Sequence, residues 1–428
     1  MLHAIKPEEH GPHGEAMAKA VQTCVHCGFC LSACPTYQEF GQEMDSPRGR
    51  IVLMKHVLEG ELPASAAQVH IDRCLGCLAC EPACPSGVMY RDLISPFRAK
   101  MEAERAFPRS AGEKLRRWLA AKTIPFPRRM RAALAGARIG RALRPFVPKS
   151  LEPMLDLAPA EIPSPVKLPA VTAAKGERRA RVALLAGCAQ QALDPDINVA
   201  TIDVLTRNGI EVLVPEAQGC CGGLAWHTGD LRAAQAFARK NLDAFPADVD
   251  AIVTNAAGCG SAMHEYHLVL RGTRDEARAE ALRKRVVDVS VFLARLGLRE
   301  PPTGWSTPRV VAYHDACHLA NAQNVREEPR ALLRAIPGLE LREVPNPHLC
   351  CGSAGTYNLD QPATAASLGE QKASAVVATG AEIVASGNIG CLTQLRAHLL
   401  KRGSPVRVRH TMQVLRDAYR PGTTSGQR

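Results

Sequence analysis

The stretch CVHCGFCLSACP, residues 24–35, decides how the chain is read: it sets Cys24, Cys27, Cys30 and Cys34 in a tight run with Pro35 directly behind. The arrangement returns at residues 74–85 as CLGCLACEPACP, with Cys74, Cys77, Cys80 and Cys84 followed by Pro85. The N-terminus, MLHAIKPEEHGPHGE, has no basic segment leading into an apolar core, so no secretory signal is expected and folding in the cytosol is. In a reducing compartment sixteen cysteines are not a disulfide framework, and clusters at fixed spacing there mean metal or catalysis. A chain of 428 residues, 46% hydrophobic and 22% charged, reads as two or three soluble domains. No stretch approaches the roughly 18 uninterrupted apolar residues of a membrane helix.

Both runs have the C-x2-C-x2-C-x3-C-P spacing of bacterial [4Fe-4S] ligation. Three thiolates from one tight turn can cap three irons of a cube, while the fourth iron must be reached from elsewhere. In two-cluster ferredoxins the other motif supplies that ligand. The expected sets are therefore Cys24, Cys27 and Cys30 with Cys84, and Cys74, Cys77 and Cys80 with Cys34. Gly28 and Gly76 lie between ligands, where small residues let backbone N–H groups approach cluster sulfurs. Paired C-x2-C units also build zinc ribbons, but a zinc site uses four ligands, whereas each run here holds four cysteines and a proline, twice over. His26 is read as a neighbour of the first cluster rather than a ligand.

The 39 residues between Cys34 and Cys74 read as helical, so this part resembles the α-helical ferredoxins that serve membrane-linked dehydrogenases. Beyond it, the segment from Arg98 to Lys149 carries fifteen Lys or Arg against three acidic residues, which accounts for the whole formal charge of +11. Met130, Leu134, Ile139, Leu143 and Phe146 form a modest apolar stripe among its arginines. It is either a solvated helical linker or a basic surface for an acidic partner or the anionic cytoplasmic leaflet. With aromatic residues at 4% and no DNA-reading motif, nucleic acid is not an expected partner.

The second half is duplicated. Cys188, Cys220, Cys221 and Cys259 are matched by Cys317, Cys350, Cys351 and Cys391, at offsets of 129, 130, 130 and 132 residues. Strand and helix signals alternate around them (RVALLAG, DINVATIDVLTRNG, IEVLVPE, DAIVTNAAGC, LELREVP, AEIVASGNIGC), so each repeat is expected to be an α/β unit with a parallel sheet. Such folds keep their sites at strand ends. The fold class is therefore α+β multidomain: an α-helical two-cluster ferredoxin domain (15–97), a basic helical and Pro-rich connector (98–179), and two α/β cysteine-rich repeats (180–300 and 301–420).

The segments GCCGG (219–223) and CCGSAG (350–355) resemble the cysteine-rich domain shared by the heterodisulfide reductase B subunit and the iron-sulfur subunits of flavin-linked 2-hydroxy-acid and glycerol-3-phosphate dehydrogenases. The reductase pattern ends each unit in C-x2-C, and this chain departs from it after Cys259 and Cys391. What remains open is one further cluster between the repeats, one in each, or a redox-active thiol pair. His314 and His318, four apart in YHDACHLA, are a candidate metal pair if helical, although polar neighbours of a cysteine site are the simpler reading; so too for His227 and His348. These histidines could equally line a quinone pocket.

No G-x-G-x-x-G follows a strand and no Walker A motif occurs, so no flavin, nicotinamide or nucleotide site is expected on this chain. Substrate oxidation belongs on a partner carrying a two-electron cofactor, and this chain is a conduit. With CVHCGFCLSACPTYQEFGQEMDSPRGRI, DRCLGCLACEPACPSGVMYRDLI, GCCGGLAWHTGD and HLCCGSAGTYN, it resembles the iron-sulfur subunits of glycolate oxidase (glycolate dehydrogenase) from about residue 15 to 420. The resemblance implies a complex with two flavoprotein-type subunits that oxidises glycolate, and also D-lactate, at the cytoplasmic face of the inner membrane. Electrons would pass to a membrane acceptor, quinone. Rival readings are the iron-sulfur subunit of an anaerobic glycerol-3-phosphate or lactate dehydrogenase, and a heterodisulfide-reductase-like thiol enzyme.

Overall fold

The computed structural model describes residues 1–147, 151–159 and 161–419. Lys149, counted in the basic segment, and residue 420, the expected end of the second repeat, lie outside the described residues. The N-terminal part is helical, built from Gly14–Thr23, Pro35–Phe40, Pro47–Leu58, Ala64–Arg73 and Arg91–Ala103. The two cysteine runs are the loops between the first and second and between the fourth and fifth of these helices. Pro35, whose missing N–H costs nothing at a first helical position, starts the helix that leaves the first run. Ser46 caps Pro47–Leu58 by accepting from Gly49 N at 3.0 Å. Met17, Val21, Met54, Ile71, Leu93 and Phe97 are buried together, so these short helices are held by one shared core and by the cysteine loops.

The connector folds into Ala111–Thr123, which opens with a Ser110–Glu113 capping box, then Pro127–Ala142 and Glu152–Leu157. Pro127–Ala142 has no buried residue, and at the end of its apolar stripe Ile139, Leu143 and Phe146 stand exposed.

Two sheets follow. The first holds β1 (Val171–Thr172), β2 (Ala180–Leu185), β3 (Ile210–Leu213), β4 (Ala251–Thr254) and β5 (Val286–Asp288) in the order β1-β3-β2-β4-β5, parallel except for β1. The second holds β6 (Arg309–Tyr313), β7 (Leu339–Glu343), β8 (Ile383–Ser386) and β9 (Arg407–His410) in the order β7-β6-β8-β9, all parallel. The four parallel strands of each sheet share one spatial order, second-first-third-fourth, so the cysteine duplication is also a duplication of topology. Central β4 and β8 are buried along their whole length, as strands covered on both faces must be.

The sheets share a core in which Leu184 and Val253 meet Val311, Tyr313 and Ile383. Polar contacts reinforce it: Arg416 donates to both carboxylate oxygens of Asp196 (2.6 and 2.9 Å), and His410 Nε2 donates to Asn255 O at 2.8 Å. Among the described residues no helix is long and apolar enough to cross a membrane.

Candidate metal centres

The two ferredoxin-type loops wrap their cysteines with the same backbone device. Residues two and four places after the first cysteine are left-handed in both runs: His26 (φ 58°) and Gly28 (φ 87°) in one, Gly76 (φ 63°) and Leu78 (φ 58°) in the other. Such conformations cost a non-glycine residue about 1–2 kcal/mol and persist where the surroundings enforce them. They curl the chain so that amides turn toward sulfur, and Gly76 N lies 3.4 Å from Cys74 Sγ.

One small cavity is lined by Cys24, Cys27, Cys30, Cys80 and Cys84; a second is lined by Cys34, Cys74, Cys77 and Cys80. Each brings three cysteines of one run together with the last cysteine of the other, and Cys80 lines both. All sixteen cysteines are free thiols. A cavity walled by four unpaired cysteines and amides fits a four-iron cluster held by four thiolates, so the residues present fit the group that the motif implies.

The cavities differ in setting. Around the first, Cys27 is exposed, flanked by Val25 (63% exposed) and Phe29 (66%). Burial pushes the Cys30 thiol up to about 11 and raises Cys24 as well. The second cavity is interior. Burial raises Cys77 and Cys80, while at Cys74 the same burial is outweighed by the charges of Arg50 and Arg98 and the thiol falls below its usual value. Arg50 is fully buried. It donates to Thr36 Oγ1 (2.9 Å), His70 O (2.7 Å) and Asp45 Oδ1 (3.3 Å), and its Nη1 lies 3.9 Å from Cys34 Sγ. Asp45, equally buried, also accepts from Arg73 (2.9 Å) and His70 (3.1 Å). Sequence reasoning did not single out Arg50; it stands in the quoted PRGRI segment beside apolar Ile51, where nothing local says that a guanidinium points inward.

In each repeat the first and last cysteines follow β2 and β4, or β6 and β8, neighbouring strands whose chains leave in opposite directions. That is the switch point of an open parallel sheet, where such folds place their sites. Cys188 Sγ and Cys220 Sγ are 3.5 Å apart. Hydrogen bonds from Cys220 and Cys259 hold Cys221 as the low-pKa member of its set and push Cys259 up. The glycine after each vicinal pair has a specific reason: Gly222 (φ 79°) and Gly352 (φ 84°) are left-handed, and a Cβ on Gly352 would stand 2.7 Å from Ala365 O.

A cleft brings the parts together, lined among others by Cys74 of the ferredoxin part, Cys221, Cys259 and Cys317 of the repeats, and Arg116 of the connector. Arg98 donates to Ile71 O (2.6 Å) and Cys74 O (2.7 Å) with one nitrogen and to His227 O (3.1 Å) with the other. Arg116 binds Asp360 at 2.9 Å, and Arg117 binds Glu102 at 2.8 Å. Part of the connector's positive charge is thus spent inside the molecule, while Arg128, Arg129 and Arg138 of Pro127–Ala142 stand exposed. The second cluster cavity abuts the second repeat, because Asn321 Nδ2 donates to Cys77 O (3.1 Å) and Tyr357 Oη to Arg73 O (3.0 Å).

The histidines do not act as a helical pair. His314 lies in the turn after β6 and joins Cys351 and Cys391, whereas His318, on the short helix Cys317–Ala320, sets its ring edge-on to His227 with centroids 5.3 Å apart. Burial holds both uncharged, His314 at about 3 and His318 at about 4. His348 is half-buried and stays outside both groups.

Residues 20–88 match the family described as a 4Fe-4S dicluster domain, and residues 182–264 and 311–396 each match the family described as a cysteine-rich domain. Over 421 residues the chain is 37% identical to "Probable glycolate oxidase iron-sulfur subunit" of Bacillus subtilis (strain 168), spanning 92% of this chain and 93% of that one. Over 405 residues it is 38% identical to "Glycolate oxidase iron-sulfur subunit" of Escherichia coli (strain K12), spanning 93% and 94%. The chain belongs to the glycolate oxidase iron-sulfur subunit family. A shorter likeness, 30% over 236 residues, links it to "Lactate utilization protein A 2" of Bacillus mycoides (strain KBAB4), covering 55% of this chain and 98% of that protein. As a member of the glycolate oxidase iron-sulfur subunit family, the chain is the iron-sulfur electron-transfer component of an oxidoreductase complex, and other subunits complete it.

Proposed function

We propose that this chain relays electrons from two flavoprotein-type subunits, which oxidise glycolate to glyoxylate and also D-lactate to pyruvate, to a quinone at the cytoplasmic face of the inner membrane. One observation carries the reading: two cavities, each of which brings three cysteines of one run together with the fourth of the other, Cys80 lining both. Cys24, Cys27, Cys30 and Cys84 hold one [4Fe-4S] cluster, and Cys74, Cys77, Cys80 and Cys34 hold the other. When bound, such clusters supply one-electron transfer, which turns the two-electron output of a flavin into single steps.

The chain's own residues contribute placement and charge. Val25 and Phe29 offer an apolar rim beside exposed Cys27, suited to a partner subunit. Arg50 sets positive charge beside the interior cysteines, which favours the reduced, more negative state there. Next along the same direction stand Cys317 and Cys350, packed with Cys77. The eight cysteines of the repeats form a further redox station, a cluster or a thiol pair. The surface arginines of Pro127–Ala142, with Ile139 and Phe146 exposed, suit an anionic membrane surface.

Glycolate is favoured over a lactate-only role because the glycolate oxidase relatives match over more than nine-tenths of both chains, whereas the lactate utilization relative spans 55% of this one. The test is Cys27→Ser in the complex co-purified with its flavoproteins under anaerobic conditions. Glycolate should still bleach the flavin while quinone reduction is lost. If quinone reduction persists, or flavin bleaching disappears as well, the relay reading fails. Wild-type protein should carry about eight irons matched by about eight labile sulfides in the ferredoxin part; about four would contradict the paired assignment.

A further inference from the structure

The four sulfurs of the second repeat run in one row, Cys317, Cys350, Cys351 and Cys391, each hydrogen-bonded to the next, and the vicinal pair lies between two apolar clusters. Cys350 packs with Leu75, Cys77, Ala79 and half-buried Cys317, against the ferredoxin part. Cys351 packs the other way, with Ala257, Val291, Ala316, Leu319 and Cys391. Into that second environment comes His314, 1% exposed, from the turn after β6. The donor atoms of His314, Cys351 and Cys391 all lie within 4.8 Å of one another. Neither ring nitrogen of His314 has a hydrogen-bond partner. An imidazole buried with both nitrogens unmet forfeits its hydration for nothing in return, a cost that a metal–nitrogen bond would cancel.

We propose that His314, Cys351 and Cys391 bind a single divalent transition-metal ion of the zinc type, through three protein donors, with one coordination position left for a small exogenous ligand.

Two thiolates and a neutral imidazole cancel the charge of a dication, so the filled site buries no net charge. One nitrogen and two sulfurs are a donor set that suits Zn2+ and, next, Fe2+. Cys391 is the third residue of the helix Ile389–Lys401. Asn388 Nδ2 donates to Cys391 Sγ at 3.4 Å, a supporting contact of the kind that orients metal ligands, and its Oδ1 accepts from Gly258 N at 3.3 Å in the first repeat. The first repeat lacks the nitrogen donor. At the offset that relates Cys188 to Cys317, Leu185 stands where His314 stands, and among the described residues no three-donor group forms around Cys221 and Cys259. The duplicated units are therefore chemically unequal. This narrows, for the second repeat only, the reading of its cysteines as a cluster or thiol station, and it does not depend on the two ferredoxin clusters.

The test is zinc, iron and labile-sulfide analysis of the full-length chain purified anaerobically, with zinc and iron X-ray absorption. Wild-type protein should retain one metal ion per chain unmatched by sulfide, with two sulfur neighbours at about 2.3 Å and a nitrogen at about 2.0 Å. His314→Leu, which installs the residue of the first repeat, and Cys391→Ser should each lower retention against a chelator at least tenfold while the ferredoxin sulfide content stays unchanged. Should His314→Leu fail to fold, the absorption spectrum of the wild-type chain decides alone. No unmatched metal, an all-sulfur shell around it, or full retention in His314→Leu would each overturn the proposal. Loss of the ferredoxin irons with the unmatched ion retained would refute the relay reading and leave this site standing.

Discussion

Replacing Arg50 by Gln should lower the midpoint potential of the centre bounded by Cys34, Cys74, Cys77 and Cys80, and leave the other centre in place. Arg50 Nη1 is 3.9 Å from Cys34 Sγ in a fully buried setting. At an effective dielectric constant of about 20, a unit charge at that distance is worth about 4 kcal/mol. Two effects reduce this. The added electron spreads over a centre of which Cys34 is one corner, and Asp45, 3.3 Å from the guanidinium, cancels part of its field. Keeping a third leaves about 1.4 kcal/mol, or about 60 mV for a one-electron couple. The sign is fixed, because losing a positive charge disfavours the more negative, reduced state.

Arg50→Lys is the informative control. It keeps the charge but cannot reproduce the fork that reaches Thr36, His70 and Asp45 together, so it should cost stability while holding the potential near the wild-type value. In neither variant is Asp45 orphaned, since Arg73 and His70 remain bound to it. Potentiometric titration followed by electron paramagnetic resonance on the anaerobically purified chain reads both centres separately. Equal movement of the two signals, a rise in potential, or a shift in Arg50→Lys as large as in Arg50→Gln would refute the electrostatic account.

Gly352→Ala should destabilise the second repeat by about 2–4 kcal/mol, summing left-handed strain and the clash with Ala365 O; Gly222→Ala, whose nearest atoms are 3.2 and 3.3 Å away, should cost less, and equal thermal midpoints for the two would count against the packing argument. Burial raises Glu265 to about 7, above its unfolded value near 4.3, so the folded chain holds an extra proton between those values and this group's contribution falls by up to about 4 kcal/mol as pH rises through them. Glu265→Gln, which can still accept from Trp226 Nε1, should therefore stabilise more at pH 8 than at pH 5 in thermal melts; an equal effect at both would contradict the burial. Val25→Asp with Phe29→Asp should weaken co-purification of the flavoproteins without lowering iron content, and unchanged co-purification would move the docking surface elsewhere.

What the sequence disclosed and what it hid divide by range. Cys-x2-Cys-x2-Cys spacing is a local property of one loop, and the crossing of the fourth cysteine is the pattern of two-cluster ferredoxins, so both four-cysteine sets are expectations that need no knowledge of the fold. The parallel sheets were legible for a similar reason: runs such as AIVT and IVAS, apolar at nearly every position, suit strands covered on both faces. The edge strands β1, β5 and β9 carried no such signal, being two to four residues long and partly exposed at β1 and β9. Arg50 and His314 were hidden because their roles are set by elements distant in the chain. Spacing alone sets His314 beside His318, four residues on, as if both rode one helix. In the fold β6 ends at Tyr313 and a turn intervenes, so the first ring meets Cys351 and Cys391 while the second meets His227. One comparison within the sequence could have found it: aligning the repeats on Cys188 and Cys317 sets a histidine against Leu185, a buried apolar position of β2. A polar residue replacing an apolar one just past a central strand must find a partner, and where the ring stands with Cys351 and Cys391, the partner that satisfies all three donors at once is a metal ion.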